Sequence, residues 1–320
     1  MTSETELSGR RILLVTHTGR QSATDTARRL IKRLQDAGIA VLAPAPEDQE
    51  LGVSGVHPWD GATPVELAVV VGGDGTILRG AELARAESTP LLGINVGRVG
   101  FLAEAEQHDL DRVAEHIVDR RYAVESRVAV EADIVVDGVV AHRLWALNEI
   151  AVEKASPARM IEVGVEVDHR RLSRWGCDGV VCATPTGSTA YAFSAGGPVV
   201  WPDVDALLLV PLSAHALFAR PLVIAPSSVI NIDVLAMSAA AVLSADGRRS
   251  IELPPGAQVS VRRSPQAVPL ARLEPTPFTE RLVAKFGLPV QGWTVDRSSE
   301  ADHGHDADAH RGFDVDQSPP

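Results

Sequence analysis

The chain has 320 residues, 45% hydrophobic and 22% charged, with 30 basic against 42 acidic side chains and a formal net charge of −12 at pH 7. That balance belongs to a folded globular chain long enough for two ordinary domains, and it excludes the basic footprint of a nucleic-acid-binding protein at the level of the whole chain. Aromatics make up only 4%, so the cores must be built from Val, Leu, Ile and Ala, and a small anionic ligand must find local cations or backbone N–H groups.

The first third alternates strand and helix. Residues 11–16 (RILLVT) are a short apolar run before a polar stretch with Gly19, and they predict a buried strand. Residues 22–37 carry Ala27, Leu30, Ile31 and Leu34 at helical spacing. Ser22 and Asp25 are placed like a capping box at the start, and Gly38 follows the end. A strand over 39–43 leads into a loop rich in Pro, Gly and acids from 44 to 64. The fully apolar strand 67–71 (LAVVV) suits a sheet covered on both faces. A helix over 76–86, a strand over 91–95 and a helix over 107–120 continue the alternation, which predicts a parallel α/β layer.

The pattern changes near Arg121. Val128, Val130, Ala132, Ile134 and Val136 share a face at a period of two, Asp137-Gly138 signals a hairpin, and 139–152 reads as the return strand. Residues 160–167 alternate again before a turn at His169-Arg170-Arg171, and short β-like runs recur at 180–183, 207–210, 222–224, 229–234 and 241–244. Segments 259–261, 270–273 and 278–286 close the fold.

The expected architecture is therefore an α/β N-terminal domain with a parallel sheet over 10–122 and a β-rich C-terminal domain over 123–265. A closing segment over 266–293 packs back on the first domain, and 294–320 is expected to be a disordered acidic tail. His303, His305 and His310 lie among the tail's Asp residues, but the composition reads as a solvated tail and no metal-ligating residues are assigned. No apolar run is long enough to cross a bilayer, and the opening MTSETE is unlike a secretory or transit peptide. Cytoplasm is the expected location, with no membrane partner. Cys177 and Cys182 match no zinc spacing, and on one strand a separation of five places them on opposite faces; two reduced, buried thiols are expected.

Three strings carry chemistry. In VVVGGDGTIL (69–78) an apolar strand runs into three glycines around one carboxylate and then a helix. Gly72, Gly73 and Gly75 allow a phosphate to approach the backbone, and the helix N-terminus at Thr76 offers free N–H groups to an anion. Asp74 stands at the carboxyl end of the strand, where open α/β sheets bind ligands. A carboxylate among phosphate-binding glycines suits a base for an attacking hydroxyl, or a Mg²⁺ ligand. The same string also fits a tight turn in which Asp74 caps the helix, and it is neither a Walker motif nor GxGxxG. Asn148-Glu149 sits between apolar residues on the expected return strand, where amide and carboxylate can read a base or ribose or simply satisfy a strand end. From Asp178 to Pro198, hydroxyl residues, glycines and Tyr191 crowd a strand–loop–helix passage that can line a sugar-phosphate and stack a ring, or form ordinary turns. Ser188 lacks the flanking glycines of a nucleophile elbow, which leaves a serine hydrolase without support.

Together the three strings resemble the NAD kinase family. The Gly-Gly-Asp-Gly-Thr turn alone is shared with diacylglycerol and sphingosine kinases and is similar to the phosphofructokinase turn. Asn148-Glu149 and the 184–198 run narrow it, and NVGRVGFL (95–102) and LSADG (243–247) also look like that family, over about residues 10 to 292. The resemblance implies an NAD kinase / diacylglycerol kinase-like fold with the dinucleotide between the domains. It implies transfer of the terminal phosphate of ATP, or of inorganic polyphosphate, to the 2′-hydroxyl of the adenosine ribose of NAD, with Mg²⁺, to give NADP. By resemblance, Asp74 is the base, Gly72, Gly73 and Gly75 let the phosphates approach, Thr76 belongs to the same binding turn, and Arg79 and Arg159 are cationic positions that contact ligand. Asn148, Glu149, Asp178, Thr189, Ala190, Tyr191, Ala192, Phe193 and Ser194 hold the dinucleotide. A homo-oligomer, dimer or tetramer, follows from the same analogy. One departure is Arg248 after the late Asp-Gly, where many relatives carry Gln; it suggests a more anionic donor. Rival readings are a lipid or sugar kinase on the same turn, whose apolar groove or basic membrane patch the sequence does not show, and a non-catalytic NAD sensor, which would not require the carboxylate.

Overall fold

The computed structural model describes residues 9–97, 100–274 and 277–290; the expected tail and its histidines lie outside them. The chain opens with β1 (Arg11–Thr16), α1 (Gln21–Asp36), β2 (Ala40–Ala43), a single turn α2 (Glu47–Glu50) and β3 (Val56–Pro58). It continues through β4 (Leu67–Val71), α3 (Asp74–Ala84), β5 (Leu91–Asn95), β6 (Ala105–Glu106), α4 (Leu110–Val118) and β7 (Ala123–Arg127). The loop expected over 44–64 thus contains α2 and β3.

α1 buries Ala23, Ala27, Leu30, Ile31 and Leu34 along one stripe, as an amphipathic helix must. Gly38, at φ 75°, ends it in the left-handed region, and Ile39 donates its N–H back to Leu34. The capping box is corrected: Arg20 is the extended N-cap residue, with no side-chain cap, and its carbonyl accepts the N–H groups of Ala23 and Thr24. Ser22 therefore lies inside the first turn, where its carbonyl accepts the Thr26 hydroxyl.

The first sheet has the order β3-β2-β1-β4-β5 with parallel pairing, and β6 adds to β5. Because β2 and β4 flank β1 on opposite sides, the chain reverses direction across the sheet there. The carboxyl ends of β1 and β4 then frame a crevice, the usual ligand position of such sheets. All five residues of β4 are buried, since α1 and α4 cover one face and α3 the other.

The second domain comprises β8 (Val130–Val136), β9 (Val139–Ala146), β10 (Glu149–Lys154), β11 (Ile161–Val167), β12 (Arg170–Cys177) and β13 (Gly179–Ala183). A 3-10 turn (Thr186–Thr189), α5 (Tyr191–Ser194), β14 (Leu207–Leu212) and β15 (Leu222–Ile224) follow. β16 (Ile230–Val234), β17 (Ala241–Ala245), β18 (Arg249–Leu253) and β19 (Gln258–Arg263) complete it. Two six-stranded antiparallel sheets, β12-β11-β16-β19-β8-β9 and β15-β14-β13-β10-β17-β18, share one core of Val, Ile, Leu and Ala around the fully buried Trp175. The chain then returns: β20 (Val268–Arg272) pairs with β5 and β7 in the first sheet, and α6 (Phe278–Phe286) follows. The boundary expected at 122/123 thus precedes β7, a strand of the first sheet.

Three local expectations change. The return strand over 139–152 is two strands in different sheets, broken at 147–148: β9 pairs with β8, whereas β10 pairs with β13 and β17. The second hairpin turn is Asp168-His169, both at positive φ, so Arg170 and Arg171 begin β12. Cys177 and Cys182 belong to different strands and both face the common core as free thiols, their pKa values pushed by burial to about 11 and about 12. Among the described residues no helix is long and apolar enough to cross a membrane.

Candidate active site

The crevice at β1 and β4 is lined by Thr16, His17, Arg20, Gly72, Gly73, Gly75, Thr76, Arg79 and Arg248 around a cavity of about 630 Å³. Gly73 is the extended N-cap residue of α3, so Asp74 is the first helical residue and not the cap. Gly72 is forced: a Cβ there would lie 2.5 Å from the Thr76 hydroxyl. The uncapped N-terminus of α1 opens on the same cavity, so two helix ends present backbone N–H groups to it. Arg79 is committed to the buried Glu47, which also accepts the Thr16 N–H at 2.8 Å. Arg248 reaches across from the second domain to Glu82 on α3 at 2.9 Å.

Asp74 points away from that cavity wall into a second cradle. Its carboxylate accepts the N–H groups of Phe101 and Leu102, each at 3.2 Å. Gly100 packs against it so closely that a Cβ would lie 2.3 Å from Oδ1. Phe101 and Leu102 line a neighbouring cavity of about 420 Å³, together with Arg127, Thr186, Thr189, Trp201 and Phe278. Asp74 therefore stands between two cavities: its chain neighbours Gly73 and Gly75 wall one, and its hydrogen-bond donors wall the other.

Asn148 and Glu149 occupy the break between β9 and β10. The backbone there is held by Asp246, whose carboxylate accepts N–H groups from Leu147 at 3.0 Å, Asn148 at 2.7 Å and, more weakly, Glu149 at 3.4 Å. Asp246 and Gly247, at φ 54° and 62°, form the tight turn from β17 to β18. Thr184 closes the other side by donating its hydroxyl to the Leu147 carbonyl at 2.6 Å, and a Cβ on Gly187 would meet the Asn148 carbonyl at 2.0 Å. With the backbone so fixed, the Asn148 carboxamide makes no hydrogen bond among the described residues. Glu149 Oε2 is buried without a partner, and burial, followed by the Asp246 charge, pushes the carboxyl up to about 8. A carboxyl in that range is largely protonated at neutral pH and can donate.

The 178–198 residues divide. Asp178, Tyr191 and Ser194 line a third cavity of about 590 Å³ with Glu153 and Lys154. There the Lys154 ammonium, 2.6 Å away, holds Asp178 below the usual carboxylate range. Tyr191 donates to Glu153 at 2.6 Å, and burial and that bond push its pKa up. Thr189 faces the second cavity, and Ala190 joins the 3-10 turn to α5. Ala192 is fully buried over the outer face of its sheet and offers no side-chain surface to a ligand. Phe193 stacks on Phe286 of α6 at 4.7 Å. Ser188, also fully buried, is bound to both backbone groups of Val200. Arg159 lies exposed on the turn from β10 to β11 and lines none of the three cavities.

The sequence reading did not single out Glu47, Gly100, Asp246 as the loop anchor, or Arg249. Asp246-Gly247 carried a usable signal, the same hairpin dipeptide as Asp137-Gly138. Glu47 carried none of its own, and Gly100 was visible only as a member of the NVGRVGFL run. Arg249 and Arg85 both lie over the Trp145 ring, 4.7 and 3.9 Å from its centroid, and Arg249 also meets Glu82 at 3.3 Å, tying the two domains together beside the site.

A parallel α/β layer whose Gly-Gly-Asp-Gly turn faces an antiparallel β domain defines a two-domain kinase fold. Residues 61–122 match the ATP-NAD kinase N-terminal domain and residues 147–273 the ATP-NAD kinase C-terminal domain. The chain is 54% identical over 290 residues to NAD kinase 2 of Streptomyces coelicolor, covering 89% of this chain and 96% of that one. It is 53% identical over 312 residues to the NAD kinase of Thermobifida fusca, covering 93% and 95%. The chain belongs to the NAD kinase family. Among solved structures, yeast NADH kinase complexed with NADH shares the fold with a TM-score of 0.81 at 23% identity, covering 88% of this chain and 89% of that one. The Archaeoglobus fulgidus NAD kinase in complex with ATP gives 0.67 at 29%, covering 87% and 97%.

Proposed function

We propose that this kinase transfers the terminal phosphate of ATP to the 2′-hydroxyl of the adenosine ribose of NAD, with Asp74 as general base. The position of Asp74 between two cavities carries this reading. The donor phosphates lie against Gly72, Gly73, Gly75 and Thr76, where the α1 and α3 N-termini supply N–H groups. The acceptor ribose enters on the side of Phe101, Leu102 and Asn148. The hydroxyl oxygen attacks the terminal phosphorus, the bond to the bridging oxygen breaks, and ADP leaves. Asp74 takes the hydroxyl proton, its carboxylate held in orientation by the two backbone donors. Asn148 and Glu149 contribute an open amide and a carboxyl able to donate, suited to ribose hydroxyls or a base edge. Positioning of this kind supplies most of the catalysis in phosphoryl transfer.

Among the described residues no group of three or more His, Cys, Asp or Glu side chains could hold a metal ion. Mg²⁺ would be held chiefly by the donor phosphates themselves, with Asp74 the nearest carboxylate of the glycine turn, and it would neutralise phosphate charge. Polyphosphate fits the same open cavity, and Arg248 supports a longer anion. A homo-oligomer is supported by the family resemblance and by the exposed Leu217, Phe218 and Val223 at and beside the edge strand β15. A cytoplasmic location accords with the absence of a membrane-crossing helix among the described residues. Incubation with NAD⁺, Mg²⁺ and ATP, read by an NADP-specific dehydrogenase, tests the activity. Accumulating NADP⁺ supports it; no product with ATP or polyphosphate returns the turn to lipid or sugar acceptors, or to a sensor.

A further inference from the structure

The cradle around Asp74 is held from outside. Phe101 and Leu102 donate to its carboxylate, and the carbonyls of the same segment point the other way. There Arg281 of α6 donates to the Phe101 carbonyl at 3.4 Å and, at closer range, to that of Ala103. The same guanidinium pairs with Glu104 at 2.8 Å. Glu104 is almost fully buried and also holds Arg272 at 2.7 Å and the N–H groups of Leu273 and Glu274 at 3.2 and 3.3 Å. The 101–104 segment is thus clamped between Asp74 on one side and β20 and α6 on the other. α6 adds apolar contact on the same segment: Phe278 and Phe286 lie 5.8 and 5.9 Å from the Phe101 ring.

We infer that Arg281 is a positioning residue for phosphoryl transfer, acting through the Phe101 carbonyl to hold the Leu102 N–H, one of the two that orient the Asp74 carboxylate, and through the Ala103 carbonyl to steady the segment that follows. This rests on the reading of Asp74 as the base. The peptide unit between Phe101 and Leu102 donates to Asp74 on one edge and accepts from Arg281 on the other, and engagement of both edges restrains its rotation. Without Arg281 the Phe101 carbonyl turns to water and the Leu102 N–H loses its fixed aim at Asp74, while the Ala103–Glu104 peptide keeps only the Glu104 N–H bond to the Gly93 carbonyl at 2.8 Å. Arg281 also lines the 420 Å³ cavity, but its guanidinium is engaged by Glu104 and by the Phe101 and Ala103 carbonyls; a positioning role is read in kcat, and a contact with substrate in KM.

The test compares Arg281→Ala and Arg281→Lys in the wild-type and Asp74→Asn backgrounds, with NAD⁺, ATP and Mg²⁺. In the active wild-type background, Arg281→Ala lowers kcat on the order of 10- to 100-fold and leaves KM for NAD⁺ within about twofold. Arg281→Lys, which keeps a donor, recovers most of that loss. On Asp74→Asn neither variant lowers the residual rate further, because the group being oriented is gone. If Arg281→Ala unfolds below the assay temperature, the lysine variant decides alone, with about threefold in kcat on wild type and none on Asp74→Asn. An equal loss in both backgrounds, or a loss confined to KM, overturns the inference. Wild-type protein that makes no NADP⁺ fails the parent reading instead and is seen before any variant is compared.

Discussion

The carboxylate of Asp246 accepts the backbone N–H of Asn148 at 2.7 Å, across 98 residues of chain. The two lie where the chain leaves one sheet of the β domain for the other, and Leu147 donates to the same carboxylate at 3.0 Å. Asp246 thus supplies at the break what strand pairing supplies elsewhere. Its replacement by Ala leaves two buried donors without an acceptor, at a cost of about 2–4 kcal/mol. Urea unfolding should show that loss, with KM for NAD⁺ raised and Asp246→Asn intermediate. Unchanged stability in the Ala variant contradicts the anchoring role.

Glu149 makes the fold sensitive to pH. Burial first, then the Asp246 charge, pushes its carboxyl from the ordinary 4.5 to about 8. Between these values the folded chain keeps a proton that the unfolded chain has lost. Stability therefore falls as pH rises through this window. The contribution is complete below about 4.5 and gone above about 8, with a span on the order of 3–5 kcal/mol. Asp246 is shifted upward too, by its own burial, and remains in the comparison. Glu149→Gln should lose less stability than wild type between pH 5.5 and 8.5 in urea melts; equal losses would remove Glu149 as the cause.

Gly100 gives a steric test of the cradle. Its φ lies outside the left-handed region, so alanine is tolerated by the backbone, yet the added Cβ would lie 2.3 Å from Asp74 Oδ1. The carboxylate must move. Gly100→Ala should keep the fold and lose kcat on the order of 10- to 100-fold, measured against a melting temperature within a few degrees of wild type. A fully active variant means that the carboxylate's place does not matter.

Arg248 meets Glu82 on α3 and lines the 630 Å³ cavity beside the glycine turn. Its Nε and Nη2 donate to Glu82 and its Nη1 to the Gly75 carbonyl at 3.4 Å, so the guanidinium sits at the rim of the glycine turn. Arg248→Gln should raise KM for polyphosphate more than KM for ATP, by about three- to tenfold in the ratio. An unchanged ratio assigns Arg248 to domain contact alone.

Much of the architecture was legible because its strands are apolar. β4 and β13 are buried at every position and stand out as continuous runs. β7 (AVESR), β12 (RRLSRWGC) and β18 (RSIEL) are edge strands with polar outer faces, and their sequences carry no such signal. The break at 147–148 was hidden for another reason: 139–152 reads as one strand, and what divides it is the distant Asp246. The glycine turn and Asp74 could be read locally, since strand, turn and helix are contiguous. The cradle could not, because Gly100, Phe101 and Leu102 reach Asp74 only through the packing of β4 beside β5. Ala192 shows the converse: it belongs to a run that reads as ligand-lining, yet the outer face of its sheet claims its side chain.

The most direct test is turnover of Asp74→Asn beside its binding of NAD⁺ by calorimetry. With Asp74 as the base, the variant binds within a few-fold of wild type and loses NADP⁺ formation on the order of 10²-fold or more. Near-normal turnover with intact binding would contradict it, and would place the base elsewhere.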